Sequence, residues 1–264
     1  MSTIWNNLSK IRNEAPLIHN ITNYVVMNTT ANALLAAGAS PVMAHALEEV
    51  EVMVGYARAL VLNIGTLSPA WIEAMLRAGK AAKARSVPIV LDPVGAGATP
   101  LRTETAQKLI DEVAPTVIRG NASEIRALGG ALAATKGVDS TDSVESAIEA
   151  AKALAERYSL VVSISGKTDV IVGKGQLARV HNGHPIMTRV TGMGCTASAL
   201  TGAFLGVEAS PLEAATQAMV VTGVAGELAA SRSAGTGSFQ VQFLDALYNL
   251  SEADIETRSR REND

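Results

Sequence analysis

Short β-rich runs alternate with longer helical patterns over the first two thirds of this chain, and no other feature restricts its fold as strongly. The run Leu17–Ile21 is followed by helical spacing over 24–37, the run 41–44 by 47–56, and the run 60–64 by a helix over Pro69–Ala84. Ser68 is placed to cap that last helix, with Pro69 at its first turn, where a missing N–H is no loss. The rhythm continues with a strand at 88–91 ending on Asp92, a helix over 103–113, a strand at 116–118 and a helix over 122–128 closed by Gly129 and Gly130. A polar, turn-rich stretch at 135–142 then precedes a helix over 144–157 and an apolar strand at 160–164. Repeated βα units predict a mostly parallel sheet with helices on both faces.

The last third departs from this pattern. Runs at 169–172 and 176–180, separated by Gly173-Lys174-Gly175, predict an antiparallel hairpin. Beyond Gly194 the spacing is almost wholly helical, over 196–205, 212–231 and 239–250, and the charged segment after Ser251 reads as a frayed surface end. No interdomain linker and no repeat interrupts the order. The expectation is one domain over residues 1–264, an α/β fold of three layers with a central, mostly parallel sheet flanked by helices. Aromatic residues make up only 3% of the chain, so its core must be assembled from small aliphatic contacts between closely spaced elements.

The charge pattern excludes several partners. The 22 basic and 25 acidic residues are dispersed along the chain, for a net charge of −3, and form no basic stripe of the kind nucleic acid selects. No apolar run reaches the ~18 residues of a membrane span, and the first dozen residues lack the apolar core of a signal peptide. A cytoplasmic protein is expected. The low charge of 216–228 is compatible with a buried interface helix. Cys195 is the one cysteine, so neither an intrachain disulfide nor a Cys-rich metal site can form. His181 and His184 are separated by Asn182-Gly183, which marks a turn rather than a shared helix face. His19 and His45 read as hydrogen-bonded structural residues.

In open parallel sheets, ligands bind at the carboxyl ends of the strands. Those ends here are polar and glycine-bearing: Asn20 to Asn23, Asn63-Ile64-Gly65, Asp92-Pro93-Val94-Gly95, Arg119-Gly120-Asn121 and Ser165-Gly166-Lys167. To them the chain adds Gly192-Met193-Gly194-Cys195, which joins an extended segment to a helix. Unpaired N–H groups and the positive end of the dipole at such a helix start suit an anion, and the glycines admit a phosphoryl group to the backbone. A plain glycine turn explains the loop alone equally well. Asp92 and Glu124 supply carboxylates of the kind that hold Mg²⁺ together with phosphates; Glu124 is also spaced as the capping-box partner of Asn121. Arg119 points toward the cleft edge, where its planar fork suits phosphate.

The segments Asp92-Pro93-Val94-Gly95-Ala96-Gly97, Arg119-Gly120-Asn121-Ala122-Ser123-Glu124 and Val190-Thr191-Gly192-Met193-Gly194-Cys195 resemble the ribokinase-like superfamily and, within it, the hydroxyethylthiazole kinase family. Asn20-Ile21-Thr22-Asn23-Tyr24-Val25 and Gly38-Ala39-Ser40-Pro41-Val42-Met43-Ala44 extend the resemblance over nearly the whole chain. The superfamily usually ends its glycine loop on aspartate, whereas this family carries cysteine, here Cys195. The resemblance implies transfer of phosphate from MgATP to the hydroxyl of 4-methyl-5-(2-hydroxyethyl)thiazole, a step toward thiamine, in a homotrimer with active sites between subunits.

By the same resemblance, Arg119 and Ser165 contact ATP, with Asn121 and Gly194 on the nucleotide side. Met43 and Gly192 contact the thiazole, with Asn23 and Val25 nearby, while Asp92 and Glu124 fall on the Mg²⁺ positions. Cys195 is placed to orient the hydroxyl and accept its proton late, its pKa lowered by the helix start. The chain departs from the family at Lys167, where glutamate is usual. Two other functions stay open at this point: a kinase of another heteroaromatic alcohol, such as a hydroxymethylpyrimidine, and an inert nucleotide-binding regulatory protein.

Overall fold

The computed structural model describes residues 3–134 and 143–263; the turn-rich stretch read at 135–142 lies outside the described residues. Helix α1 (Thr3–Glu14) leads to β1 (Leu17–Ile21), α2 (Met27–Ala37), β2 (Ser40–Val42), the short α3 (Val50–Val54), β3 (Ala59–Asn63), α4 (Pro69–Ala84) and β4 (Ile89–Asp92). There follow α5 (Pro100–Val113), β5 (Val117–Asn121), α6 (Ala122–Ala134), α7 (Ser143–Tyr158), β6 (Val161–Ser165), β7 (Asp169–Gly173) and β8 (Gln176–Val180). A 3-10 turn at Pro185–Arg189 precedes α8 (Met193–Leu205), α9 (Pro211–Ser231), α10 (Thr236–Asn249), α11 (Glu252–Arg258) and β9 (Arg261–Asn263).

The strands form a single sheet of order β2-β1-β3-β4-β5-β6-β7-β8-β9. Pairing is parallel from β2 through β6 and antiparallel from β7 onward. Strand periodicity divides the core between the two faces. Ala59 and Val61 of β3 and Val90 of β4 pack with α1, α2 and α8 to α11, whereas Leu60, Leu62, Ile89 and Leu91 pack with α3 to α7. The sheet with helices on both faces is therefore the three-layer α/β fold expected. Because every parallel strand runs the same way, Asn63, Asp92, Asn121 and Ser165 end β3, β4, β5 and β6 along one edge.

Local chemistry accounts for most boundaries. Ser68 accepts a hydrogen bond from the Trp71 N–H at 3.3 Å, and Thr99 does the same for Arg102, each with proline at the first turn. The Lys174-Gly175 turn joins β7 to β8, with Gly175 at φ +71°.

Three expectations are corrected. Helix α6 runs through Gly129 and Gly130 instead of ending there. A Cβ at 129 would lie 2.5 Å from the Ala150 carbonyl oxygen, so that glycine lets α7 approach rather than stopping α6. The segment after Ser251 is not frayed: Ser251 caps α11, whose Ile255 is buried, and β9 pairs with β8. Helix α9, including 216–228, spends its low charge inside the chain, against α8, α10 and the sheet. A further helix, α1, begins within the polar first dozen residues, for which the sequence suggested no element; it buries Ile4, Leu8 and Ile11 at helical spacing. Among the described residues no helix is long and apolar enough to cross a membrane.

Candidate active site

A cleft of about 830 Å³ opens along the carboxyl edge of β4, β5 and β6, roofed by 181–188 and floored by the start of α8. It gathers Asp92, Arg119, Asn121, Glu124, Ser165, Gly192, Gly194 and Cys195, residues drawn from segments far apart in sequence. Asn23 adjoins it, its Nδ2 donating to Cys195 Sγ at 3.6 Å. Met43 and Val25 lie outside the lining; Met43 is half-buried, and Val25 is exposed on the surface.

The anion cradle is built from the backbone. Gly192 takes φ +85° ahead of α8, a conformation favouring glycine, and a Cβ there would meet Val26 Cγ1 at 3.0 Å. A Cβ at Gly194 would lie 2.7 Å from Arg119 Nη1. The guanidinium thus rests directly on the helix start, and the absence of a side chain at 194 is what lets it do so. Arg119 is 8% exposed, and its Nε is buried without a hydrogen-bond partner. A buried cation with an unsatisfied donor is costly unless an anion meets it.

Two carboxylates face this cation differently. Asp92 Oδ2 accepts from Asn63 Nδ2 and from Ser198 Oγ, both at 2.8 Å. Burial outweighs those bonds and nearby Arg119, pushing the Asp92 pKa up to about 6. Glu124 is fully committed to backbone: Oε1 accepts from Gly95 N–H and Oε2 from Asn121 N–H, each at 2.8 Å, while Asn121 Oδ1 accepts from Glu124 N–H at 3.0 Å. The capping box read from the sequence is therefore present, and it ties the Gly95 turn to the start of α6. Asp169, at the far side, accepts from Gly166 N–H at 3.0 Å and is likewise raised to about 6 by burial.

Cys195 departs from the expectation set by its helix position. Burial and the neighbouring Asp92 charge push its pKa up to about 11, against the smaller opposing pulls of Asn63, Asn23 and Arg119. Burial, with the like charge second, overrides the effect of the helix start, so the group is a thiol at neutral pH.

Among the histidines, His181 Nδ1 shares a hydrogen bond with Thr168 Oγ1, and His184 Nδ1 accepts from Ile186 N–H. His19 Nε2 bonds the Ala44 carbonyl at 2.7 Å, and His45 stacks on Trp71 with ring centroids 4.0 Å apart. Sequence reading assigned no role to Ser198, Asn63 or Asp169. Ser198 was findable, one turn beyond Gly194 on the helix that begins at the loop. The roof at 181–188 was not, since its only signal is a turn.

The sequence profile of the Hydroxyethylthiazole kinase family matches residues 8–253. The hydroxyethylthiazole kinase of Syntrophus aciditrophicus (strain SB) is 60% identical over 257 residues, covering 97% of this chain and 95% of that protein. That of Nitratidesulfovibrio vulgaris (strain DSM 19637 / Miyazaki F) is 54% identical, covering 97% and 96%. The solved structure of a hydroxyethylthiazole kinase protein from Pyrococcus horikoshii OT3 superposes with a TM-score of 0.92 at 42% identity over the whole of both chains. Pyridoxal kinase from Staphylococcus aureus, solved with AMP-PCP and pyridoxal, shares the fold with a TM-score of 0.62 at 17% identity, covering 94% of this chain and 98% of that one.

Proposed function

The chain belongs to the hydroxyethylthiazole kinase family, and on that premise we propose that it transfers the γ-phosphate of ATP to the hydroxyl of 4-methyl-5-(2-hydroxyethyl)thiazole, giving the phosphate ester used toward thiamine. The observation that carries this reading is the Arg119 guanidinium, buried and incompletely bonded, lying against Gly194 at the start of α8. Arginine and backbone N–H groups converge there on a point where a migrating phosphoryl group would be held. Ser165 and Asn121 extend the same edge toward the rest of the nucleotide, and Gly192 and Asn23 form the thiazole side, with Val25 and Met43 outside the lining of this chain's cleft.

The residues present suit Mg²⁺. Asp92 Oδ2 is filled by two donors, but its Oδ1 has no partner among the described residues and the residue lines the cleft. Glu124, with each oxygen already accepting from backbone, fits an outer position reached through water better than a direct bond. Bound Mg²⁺ supplies charge neutralisation between phosphates.

Cys195 works as a thiol that places the acceptor hydroxyl, not as a thiolate that deprotonates it. Phosphoryl transfer through a loose transition state needs little nucleophile deprotonation before attack, so a strong base is not required and the hydroxyl proton leaves late, to an oxygen of the transferred phosphoryl group. Positioning and the electrostatics of Arg119 and the Gly192 to Cys195 N–H groups carry most of the rate. We also place the protein in the cytoplasm, as a homotrimer; the exposed Tyr24 and Val25, each 65% accessible and directly following Asn23, support a covering neighbour.

The test is product formation under metal control. Incubation with ATP, the thiazole alcohol and Mg²⁺ should yield ADP and the phosphate ester, stop on chelation and resume on Mg²⁺ addition. ATP consumption without ester would overturn the assignment.

A further inference from the structure

We propose that Asn63, to which no role has been given, is a positioning residue that sets the geometry of Asp92 and Cys195 together; the proposal rests on the kinase reading above. Asn63 ends β3 and is 1% exposed. It lies in an unbroken polar row, Cys195–Asn23–Asn63–Asp92–Ser198, that passes beneath the cleft from the alcohol side to the metal side.

The direction of each amide in this row is forced. The Gly65 N–H donates to Asn63 Oδ1 at 3.0 Å, so that atom must be the carbonyl oxygen, and the atom facing Asp92 must be the NH₂. The Val25 N–H donates to Asn23 Oδ1 at 3.1 Å, which by the same logic turns Asn23 Nδ2 toward Asn63 Oδ1 at 2.8 Å and Cys195 Sγ at 3.6 Å. Two backbone N–H groups therefore anchor the row, and Asn63 is its only member that bonds both Asn23 and Asp92.

Two consequences follow. Asp92 Oδ2 is held as an acceptor by Asn63 and Ser198, which directs the other oxygen to bind from the cleft side. The Cys195 sulfur is also held as an acceptor, by Asn23, which leaves its S–H and remaining lone pair for the substrate hydroxyl. One amide, bonded through both its oxygen and its nitrogen, thus fixes a group on each side of the reacting atoms. Close approach is built into the backbone as well, since a Cβ at Gly65 would lie 2.5 Å from Asn23 Nδ2.

Two variants test this. Asn63→Asp keeps the volume and both acceptor bonds but loses the N–H to Asp92; kcat should fall about 10- to 100-fold, as for other residues that orient ligating groups, with KM for the alcohol changed less than about threefold. Asn63→Leu releases the Asn23 amide. Because Cys195 is the one cysteine in the chain, iodoacetamide labelling without substrates reads that change, and should slow by about threefold or more once Asn63 no longer holds the Asn23 donor against the sulfur. Wild-type kcat in Asn63→Asp, a raised KM with kcat retained, or unchanged labelling in Asn63→Leu would each overturn the proposal. Failure of the wild-type protein to phosphorylate the alcohol would instead overturn the kinase reading. The labelling result does not depend on that activity.

Discussion

Asp92 is held between Asn63 and Ser198 with its pKa raised to about 6, so the folded chain holds this proton more tightly than the unfolded chain does. A raised carboxyl pKa destabilises the fold once the group must ionise: the penalty is absent below about 4, grows between about 4 and 6, and is complete above 6. Asp92→Asn keeps an oxygen where the two donors point and removes the buried charge. The variant should melt at a higher temperature than the wild type at pH 8, lose that advantage as pH falls toward 4, and have no kinase activity. Thermal melts across pH check this; equal melting at pH 8 would contradict it.

Cys195→Asp substitutes the residue the wider superfamily uses, and aspartate ionises even after a large upward shift, with Asn23 and Arg119 at hand to receive it. Turnover should be kept or raised; a folded but inactive variant would count against the role given to Cys195. The loop glycines, Asp92, Glu124 and Arg119 were legible at this scale because residue type and strand-end position announce them. The high pKa of Cys195 was not, because burial and the Asp92 charge act on it only after the sheet has formed.

At the scale of elements, the sequence located every strand of the parallel sheet to within a few residues, because apolar runs bounded by caps and turns are local signals. It failed where tertiary contact overrode a local signal, most plainly at Gly129-Gly130. There the two glycines differ: a Cβ at Gly129 would lie 2.5 Å from the Ala150 carbonyl oxygen, whereas among the described residues nothing lies within 4 Å of a Cβ at Gly130. Gly129→Ala should destabilise by about 1–3 kcal/mol by prising α6 from α7. Gly130→Ala should stabilise by about 0.5–1 kcal/mol through reduced freedom of the unfolded chain. Denaturant midpoints of the two variants should move in opposite directions, and a shared direction would refute the packing account. The antiparallel hairpin was readable from its glycine-flanked turn, while α1 escaped notice because its apolar positions are spaced by helix turns within a polar segment.

Over the whole molecule, the C-terminal segment closes the sheet, where local sequence suggested only a charged tail. Arg261 forms a bidentate pair with Glu213 of α9 at 2.9 and 3.1 Å, Arg260 pairs with Glu227, and β9 covers the edge of β8. Deleting residues 251–264 should lower the melting temperature and promote aggregation through the exposed β8 edge; a truncated protein that melts and sediments as the full chain does would show the closure to be dispensable. The cleft itself is a property of this scale, since it joins strand ends, the helix start and the roof at 181–188. Its strand ends could be read as one edge from parallel topology alone. Its roof could not.

The central claim is that this cleft phosphorylates a thiazole alcohol, and one assay reaches it most directly. The purified chain should be offered MgATP with a panel containing 4-methyl-5-(2-hydroxyethyl)thiazole and a hydroxymethylpyrimidine, and the phosphorylated products followed by mass. The account predicts the thiazole phosphate as the dominant product, with stoichiometric ADP. Preferential phosphorylation of the pyrimidine, or no phosphorylated product at all, would contradict it.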